Sequence, residues 1–384
     1  MIKNKKRFLV IFLGAASLLL VVVFKHYSPL RLVGKYDPGI FGTTEFEYIA
    51  TQNNTIFILS NDYSDGSGEI GKLLVFDALP PDKPKLISTL TFQPNLGRAA
   101  GITVNGNYLY VVTMGSYGIL TIDISNLESP RLISNYSPPK NSIFHSELII
   151  SNNIGYVENF LIENNDRFRR LSVLSMENPK AIKQLTIVPE LGYPLWKIGD
   201  YLYIQLAPYH PSPMYPNSSI YDYPLGILDV SNPESPKLVK EMYDLRFPTD
   251  ADANDSWLYF SSFSGILAVD ISNPMPQPVL KYNDYNMDKI LVDEDTGYFI
   301  GGRLQMYVVD LSSEKKSKVI FRDNLSQGMD FVRVGDYIYM TDAFDGLLIY
   351  KINRSTPAWR NNLAAFFYRL EFRFWDGIAE YLQL

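Results

Sequence analysis

GILTIDISNLESP (Gly118–Pro130) decides the fold, because the chain says it again. It returns as ILDVSNPESPKLV (Ile227–Val239) and GILAVDISNPMPQPV (Gly265–Val279). Looser copies are KLLVFDALPPDKPKLI (Lys72–Ile87), RLSVLSMENPKAI (Arg170–Ile182), LQMYVVDLSS (Leu304–Ser313) and GLLIYKINRSTP (Gly346–Pro357). Each copy is a short apolar alternation ending in aspartate or its substitute, then a polar, proline-containing turn. One supersecondary unit recurring at this length in an all-β sequence means stacked units around a common core.

The text around each copy completes a four-strand unit. An alternating first strand, as in Ile102–Val104 or Phe331–Val334, leads through a Gly/Asn/Asp turn into an aromatic second strand. GNYLYVV (Gly106–Val112), GDYLYI (Gly199–Ile204), DSWLYF (Asp255–Phe260) and GDYIYM (Gly335–Met340) are such second strands. Turn residues between alternating apolar runs signal a hairpin. The repeated phrase is the third strand, and the fourth follows its proline, as in SPRLISNY (Ser129–Tyr136).

Aligned on the end of the third strand, the units fall at Asp77, Asp123, Leu174, Asp229, Asp270, Asp310 and Lys351. The intervals are 46, 51, 55, 41, 40 and 41 residues, close to the ~40–45 residues of a four-stranded propeller blade. Seven blades are therefore expected. The last has no fourth strand of its own, and PLRLVGKY (Pro29–Tyr36) has the fourth-strand wording. The N-terminal strand is expected to close the ring, removing exposed sheet edges.

These motifs resemble the LVIVD-repeat propellers, a family of exported prokaryotic proteins. The resemblance covers Pro29 to Pro357, is most specific around Asp123, Asp229 and Asp270, and fades at Leu174 and Lys351. It implies a seven-bladed β-propeller and export rather than a particular chemistry.

Composition narrows the function classes. The 384 residues carry 41 acidic and 35 basic side chains, a net charge of −6, with no long basic stripe, so nucleic acid is not the expected partner. The chain has no cysteine, which excludes thiol catalysis, disulfides, cysteine-ligated zinc and a lipid-modified N-terminal cysteine. Lys3, Lys5, Lys6 and Arg7 precede an uncharged apolar run, Phe8 to Phe24. That run is near the lower length of a spanning helix, and no small-residue cleavage site follows it. Residues 1–28 are read as a basic cytoplasmic tip and a transmembrane signal anchor, with a cleaved signal peptide as the alternative. The positive-inside rule places the remainder outside the cytoplasm, periplasmic or on the cell surface.

Residues 29–357 are then the propeller, and 358–384 a C-terminal amphipathic helix. Leu363, Phe367, Leu370, Phe374, Ile378 and Tyr381 recur at three-to-four spacing, with Trp375 widening the apolar surface. Phe367, Leu370, Phe374, Trp375 and Ile378 are candidate contacts to a partner or to the membrane.

Candidate functional residues lie on one face of the propeller. Three second-to-third connections are long: Asn61–Gly71, Phe160–Arg169 and Ala207–Leu225. Extended loops on a rigid scaffold commonly carry binding. The longest is rich in tyrosine and proline, and Tyr209, Tyr215, Tyr221 and Tyr223 are its candidate partner contacts. Asp250, Asp288 and Asp330 open the first strands of blades five, six and seven, which line the channel, and His145 and His210 fall on loops of the same face. Together they form a candidate channel-mouth site for a cation or a basic group.

No metal ligand set and no cofactor is expected. Calcium at Asp62, Asp65 and Glu69 is the one alternative, at a spacing that matches no established loop. DADAND (Asp250–Asp255) starts like an EF-hand but places Ser261 where the bidentate glutamate belongs. The repeated Asp-Ser-Asn is read as turn chemistry. No nucleophile elbow, HExxH or P-loop occurs. The sequence therefore points to a membrane-tethered, extracytoplasmic propeller that binds protein partners as a scaffolding subunit of a cell-envelope complex. The alternative is an exported propeller hydrolase or lyase working at the channel mouth.

Overall fold

The computed structural model describes residues 27–37, 44–63, 68–93, 96–115, 117–164, 166–206, 223–243, 248–262, 265–272, 279–282, 287–302, 304–313 and 317–366. The anchor segment, the loop residues 207–222 and the helix residues 367–384 lie outside them. Among the described residues seven antiparallel sheets form, six of four strands and one of five, in which blade three splits its first strand into Ser142–Phe144 and Ile149–Ser151. They are the blades of a propeller, and within each the strands follow chain order from the inside outward.

The exception is the expected one. Leu30–Tyr36 pairs antiparallel with Gly346–Ile352 and supplies the outer strand of blade seven, with Leu30 opposite Ile352 and Arg31 opposite Lys351. Burial follows strand position. The second strands Tyr108–Thr113 and Trp257–Ser262 are almost entirely buried, whereas the outer strands Lys85–Thr91 and Arg131–Tyr136 are largely exposed. Apolar side chains on the flat faces lock neighbouring blades together. Phe57, Leu59 and Val75 of blade one pack with Ile102, Leu109 and Val111 of blade two. Tyr339 and Ile349 of blade seven pack with Ile58 and Phe76 of blade one, completing the circle.

The phrase does the turn work expected of it. Asp123, Asp229, Asp270 and Asp310 accept bonds from the backbone N–H two residues on, at 2.9, 2.9, 2.9 and 3.0 Å. Asn126 and Asn232 do the same for Glu128 and Glu234, both at 3.1 Å. Such Asx turns direct the chain into the next strand. The bonds from Ser125, Ser231 and Ser272 hold their aspartates below the usual carboxylate range. Gly118, which opens the phrase, has φ of +70°, and a Cβ there would lie 2.2 Å from the Tyr136 carbonyl oxygen. Only glycine fits that position.

Three sequence expectations change. The connection Phe160–Arg169 is not a loop: Ile154–Glu163 and Asp166–Ser175 stay paired to Glu163 opposite Asp166, forming a hairpin arm. Alternating Phe160, Ile162, Phe168 and the cross-strand pairing carry the ladder outward. In Asn61–Gly71, Asn61 and Asp62 likewise pair with Ile70 and Glu69. In blade three the register places Ser175, one residue beyond Leu174, opposite Ile154, where five other blades have aspartate and blade seven has Lys351.

The described part of the C-terminal helix, 358–366, docks on the propeller. Arg360 is buried and donates to the carbonyl of Ile320 on blade six, and Ala364 and Ala365 are buried beside it. Among the described residues no helix is long and apolar enough to cross a membrane.

Candidate functional site

The channel is lined by the first strands, and nearly all of them break register close to their start. Ladder shifts fall between Phe46 and Tyr48, Ala99 and Gly101, Leu191 and Pro194, Pro248 and Asp250, and Gly328 and Asp330. Bulges re-aim side chains, and here they set one residue per blade at a common level. These residues are Tyr48, Gly101, Glu147, Tyr193, Asp250, Lys289 and Asp330. Tyr48, Gly101, Asp250, Lys289 and Asp330 sit opposite Leu59, Val112, Ser261, Ile300 and Thr341, the fifth residues of their second strands. Glu147 lies in the gap of the split first strand, where Ser146 Oγ accepts from the Glu158 N–H at 2.8 Å.

At the centre is one ammonium among three carboxylates. Lys289 Nζ lies 2.7 Å from Glu147 Oε1 and 3.6 Å from Asp330 Oδ1. Blades three and six stand on opposite sides of a seven-membered ring, so the Glu147–Lys289 pair spans the channel. Gly101 makes this possible: a Cβ there would fall 2.3 Å from Glu147 Cγ and 2.7 Å from its Cα. Asp250 Oδ2 accepts from the Ile290 N–H at 3.0 Å. Asp330 accepts from the Ile49 and Phe331 N–H groups at 3.3 and 2.9 Å. Asp250 and Asp330 thus each tie their own blade to the next one round.

The electrostatics follow from burial. Lys289 is 19% and Asp330 13% exposed. Desolvation raises Asp250 to about 7 and Asp330 to about 6, with the charge of Glu147 adding to the rise and Lys289 opposing it. For Lys289, desolvation would lower the pKa, but Asp330, Glu147 and Asp250 together hold it well above the ordinary value. Burial also raises the hydroxyls of Tyr48 and Tyr193 above the normal tyrosine range. The arrangement holds a cation, its own Lys289, and can carry a proton on Asp250 near neutrality.

The expected channel residues divide. Asp250 and Asp330 meet around Lys289. Asp288 precedes the ring position by one residue, and its backbone is engaged, N–H to Ile300 and carbonyl to Ser261 Oγ. His145 is displaced toward blade three's arm, with Nδ1 3.6 Å from Glu158 Oε2 and its ring against Phe160. Buried Glu158 is held by Arg169 at 2.5 Å, and Arg169 also donates to Gln205 Oε1 at 2.9 Å. Tyr223 joins this cluster, its ring 5.5 Å from the Arg169 guanidinium. His210, Tyr209, Tyr215 and Tyr221, and Phe367, Leu370, Phe374, Trp375 and Ile378, lie outside the described residues, as does Asp65 of the acidic loop. Among the described residues, no three His, Asp or Glu side chains are grouped to hold a metal.

Sequence reasoning missed Lys289, Glu147, Tyr48, Tyr193 and Gly101. A positional signal existed. Tyr48, Gly101, Glu147, Asp250, Lys289 and Asp330 each lie seven residues before the start of their second strand, and Tyr193 lies eight before its own. Searching for aspartate selected Asp288; counting from the hairpin selects Lys289.

The fold and the channel define a seven-bladed β-propeller sealed by its N-terminal strand. The LVIVD repeat model matches residues 96–137 and 222–244, which are blade two and the outer half of blade four. The chain is thus a β-propeller that carries LVIVD repeats. No curated protein matches the chain. Among solved structures it is similar to the computationally designed Ika8 protein, at 9% identity and TM-score 0.53, over 84% of this chain and 100% of that one. It is also similar to Sqt1 of Saccharomyces cerevisiae, at 12% identity and TM-score 0.50, over 84% and 99%. At these identities the likeness is one of fold.

Proposed function

We propose that this chain is a membrane-tethered, extracytoplasmic propeller that binds protein partners as a scaffolding subunit of a cell-envelope complex. The observation that carries the reading is the arm of blade three. Beyond Asn159 opposite Arg170, four further residue pairs extend the hairpin; Ser142 and Ile143 flank the first two, and the last two run past the sheet by about 7 Å. Phe168 near its tip is 49% exposed. At its base the buried Glu158–Arg169 pair and the Arg169 contacts to Phe160 and Tyr223 stiffen it. A rigid arm presenting an aromatic side chain to solvent has the character of an interface anchor. The apolar run Phe8–Phe24 supports tethering.

The enzyme reading has one observation in its favour, the Asp250 carboxyl near neutrality, where a general acid–base works best. Against it, the ring's charged groups engage one another and backbone amides.

The test is a photo-crosslinking residue at position 168 in membranes expressing the full chain. The expected result is a discrete adduct, identified by mass spectrometry as an envelope protein, that is lost when Arg169→Ala loosens the arm. No adduct at 168, with robust folding of the labelled chain, overturns the scaffold reading. Membrane fractionation with and without residues 1–26 tests the tether separately.

A further inference from the structure

The blade-closing strand breaks a charge rule that four other blades keep. In blades one, two, four and six the aspartate ending the third strand faces a basic residue on the fourth. The pairs are Asp77–Lys85, Asp123–Arg131, Asp229–Lys237 and Asp310–Lys318. In blade seven the same register sets Lys351 opposite Arg31. Opposite charges directly across a ladder stabilise it, and like charges weaken it. The inversion falls at the seam that closes the whole ring, where a weakened pair is least expected.

A pocket of about 380 Å³ opens at this seam, lined by Ser28, Arg31, Asp336, Lys351, Arg354 and Ser355. Arg354 is already held, by Asp336 at 2.8 Å and Asp293 at 2.9 Å. Arg31 and Lys351 have no carboxylate within ion-pair distance among the described residues; the Lys351 ammonium rests 5.8 Å from the Tyr337 ring. Two cations without a carboxylate partner therefore line a cavity at the position where four other blades have a built-in carboxylate. We infer that the pocket takes an external phosphate group, which replaces the missing aspartate between Arg31 and Lys351.

The surroundings bear on the source of that phosphate. Tyr27 and Trp359 lie beside the seam, 37% and 52% exposed, with ring centroids 6.0 Å apart. Exposed tyrosine and tryptophan next to basic residues is the composition of a membrane-interface belt. The apolar run Phe8–Phe24 ends four residues before Ser28. An anionic phospholipid headgroup and a soluble phosphate share the required chemistry; the lipid source rests on the tethered reading, whereas the pocket does not.

The experiment measures the melting temperature of the full chain in neutral detergent. The probes are short-chain phosphatidylglycerol, short-chain phosphatidylcholine and inorganic phosphate. The comparison variant is Lys351→Asp, which restores the acid–base pair of the other blades and so should fold at least as well. Wild type should be stabilised in proportion to the logarithm of added phosphatidylglycerol, and less so at high salt. Lys351→Asp should melt higher without ligand and need at least tenfold more phosphatidylglycerol for the same shift. Equal response to inorganic phosphate would support the pocket and assign a soluble source, leaving the tether to its fractionation test. No response of wild type to either phosphate probe, equal response of Lys351→Asp, or equal response to phosphatidylcholine would overturn the inference.

Discussion

Glu147 of blade three and Lys289 of blade six meet across the channel at 2.7 Å, although 142 residues separate them. The pair is the strut of the central ring, since Lys289 also balances Asp330 and Asp250. Lys289→Met would leave three carboxylates, two of them the desolvated Asp250 and Asp330, without a cation. Removing one partner of a buried pair costs about 3–5 kcal/mol, so a loss toward that size is expected in urea unfolding. Glu147→Gln should cost clearly less, because Glu147 is 32% exposed and the ring keeps two acids for the lysine.

The ring makes stability fall as pH rises. Asp250 and Asp330 titrate higher in the folded state than the ~3.9 of an unfolded aspartate, and burial likewise raises Asp252 to about 6. Between about pH 4 and 7 the folded chain therefore holds more protons than the unfolded one, which makes the slope of stability against pH negative. This stability is fully present below the unfolded value and is lost as pH passes through the folded values. Melting temperature should decline from pH 5 to pH 8, and Asp250→Asn should flatten the decline. A profile that rises across this range in wild type would contradict the burial of these acids.

Gly101 holds open the space that Glu147 crosses. Gly101→Ala sets a methyl 2.3 Å from Glu147 Cγ, and overpacking of this kind costs about 1–3 kcal/mol. The cost should shrink when Glu147 is already alanine, giving a coupling in a double-mutant cycle. Additive effects would mean that Glu147 does not lie over Gly101.

Ring closure depends on Leu30, which is 1% exposed in a core shared with Ile320, Tyr350 and Ile352. Leu30→Ala should destabilise by about 2–4 kcal/mol. Because the lost contact is at the seam, limited proteolysis should cut blade seven first.

Arg360 fastens the C-terminal helix through the Ile320 carbonyl. Arg360→Ala should release 358–366, read as faster amide exchange there with the blades unchanged. Uniform exchange across wild type and variant would mean that the contact is not what docks the helix.

The sequence by itself determined the seven blades, the closure by Leu30–Tyr36 and the Asx turns at Asp123, Asp229 and Asp270. All of these are local: alternation, a glycine before a strand, an aspartate two residues before an amide. A strand period and a turn motif are written within a dozen residues, so repeating them repeats the signal. The hairpin arm escaped for a related reason, because charged Arg167 and Arg169 read as a loop although their backbones stay paired.

Only the tertiary structure decided what stands in the channel. Gly101, Glu147, Lys289 and Asp330 come from four blades, and a bulge or one-residue slip moves a side chain from channel to core. Asp288 and Lys289 are adjacent in sequence, yet the ladder to Ile300 makes the lysine the ring residue. The contact of Lys289 with Glu147 exists because circular closure sets blade six opposite blade three. No local pattern encodes which residues face each other across a closed ring.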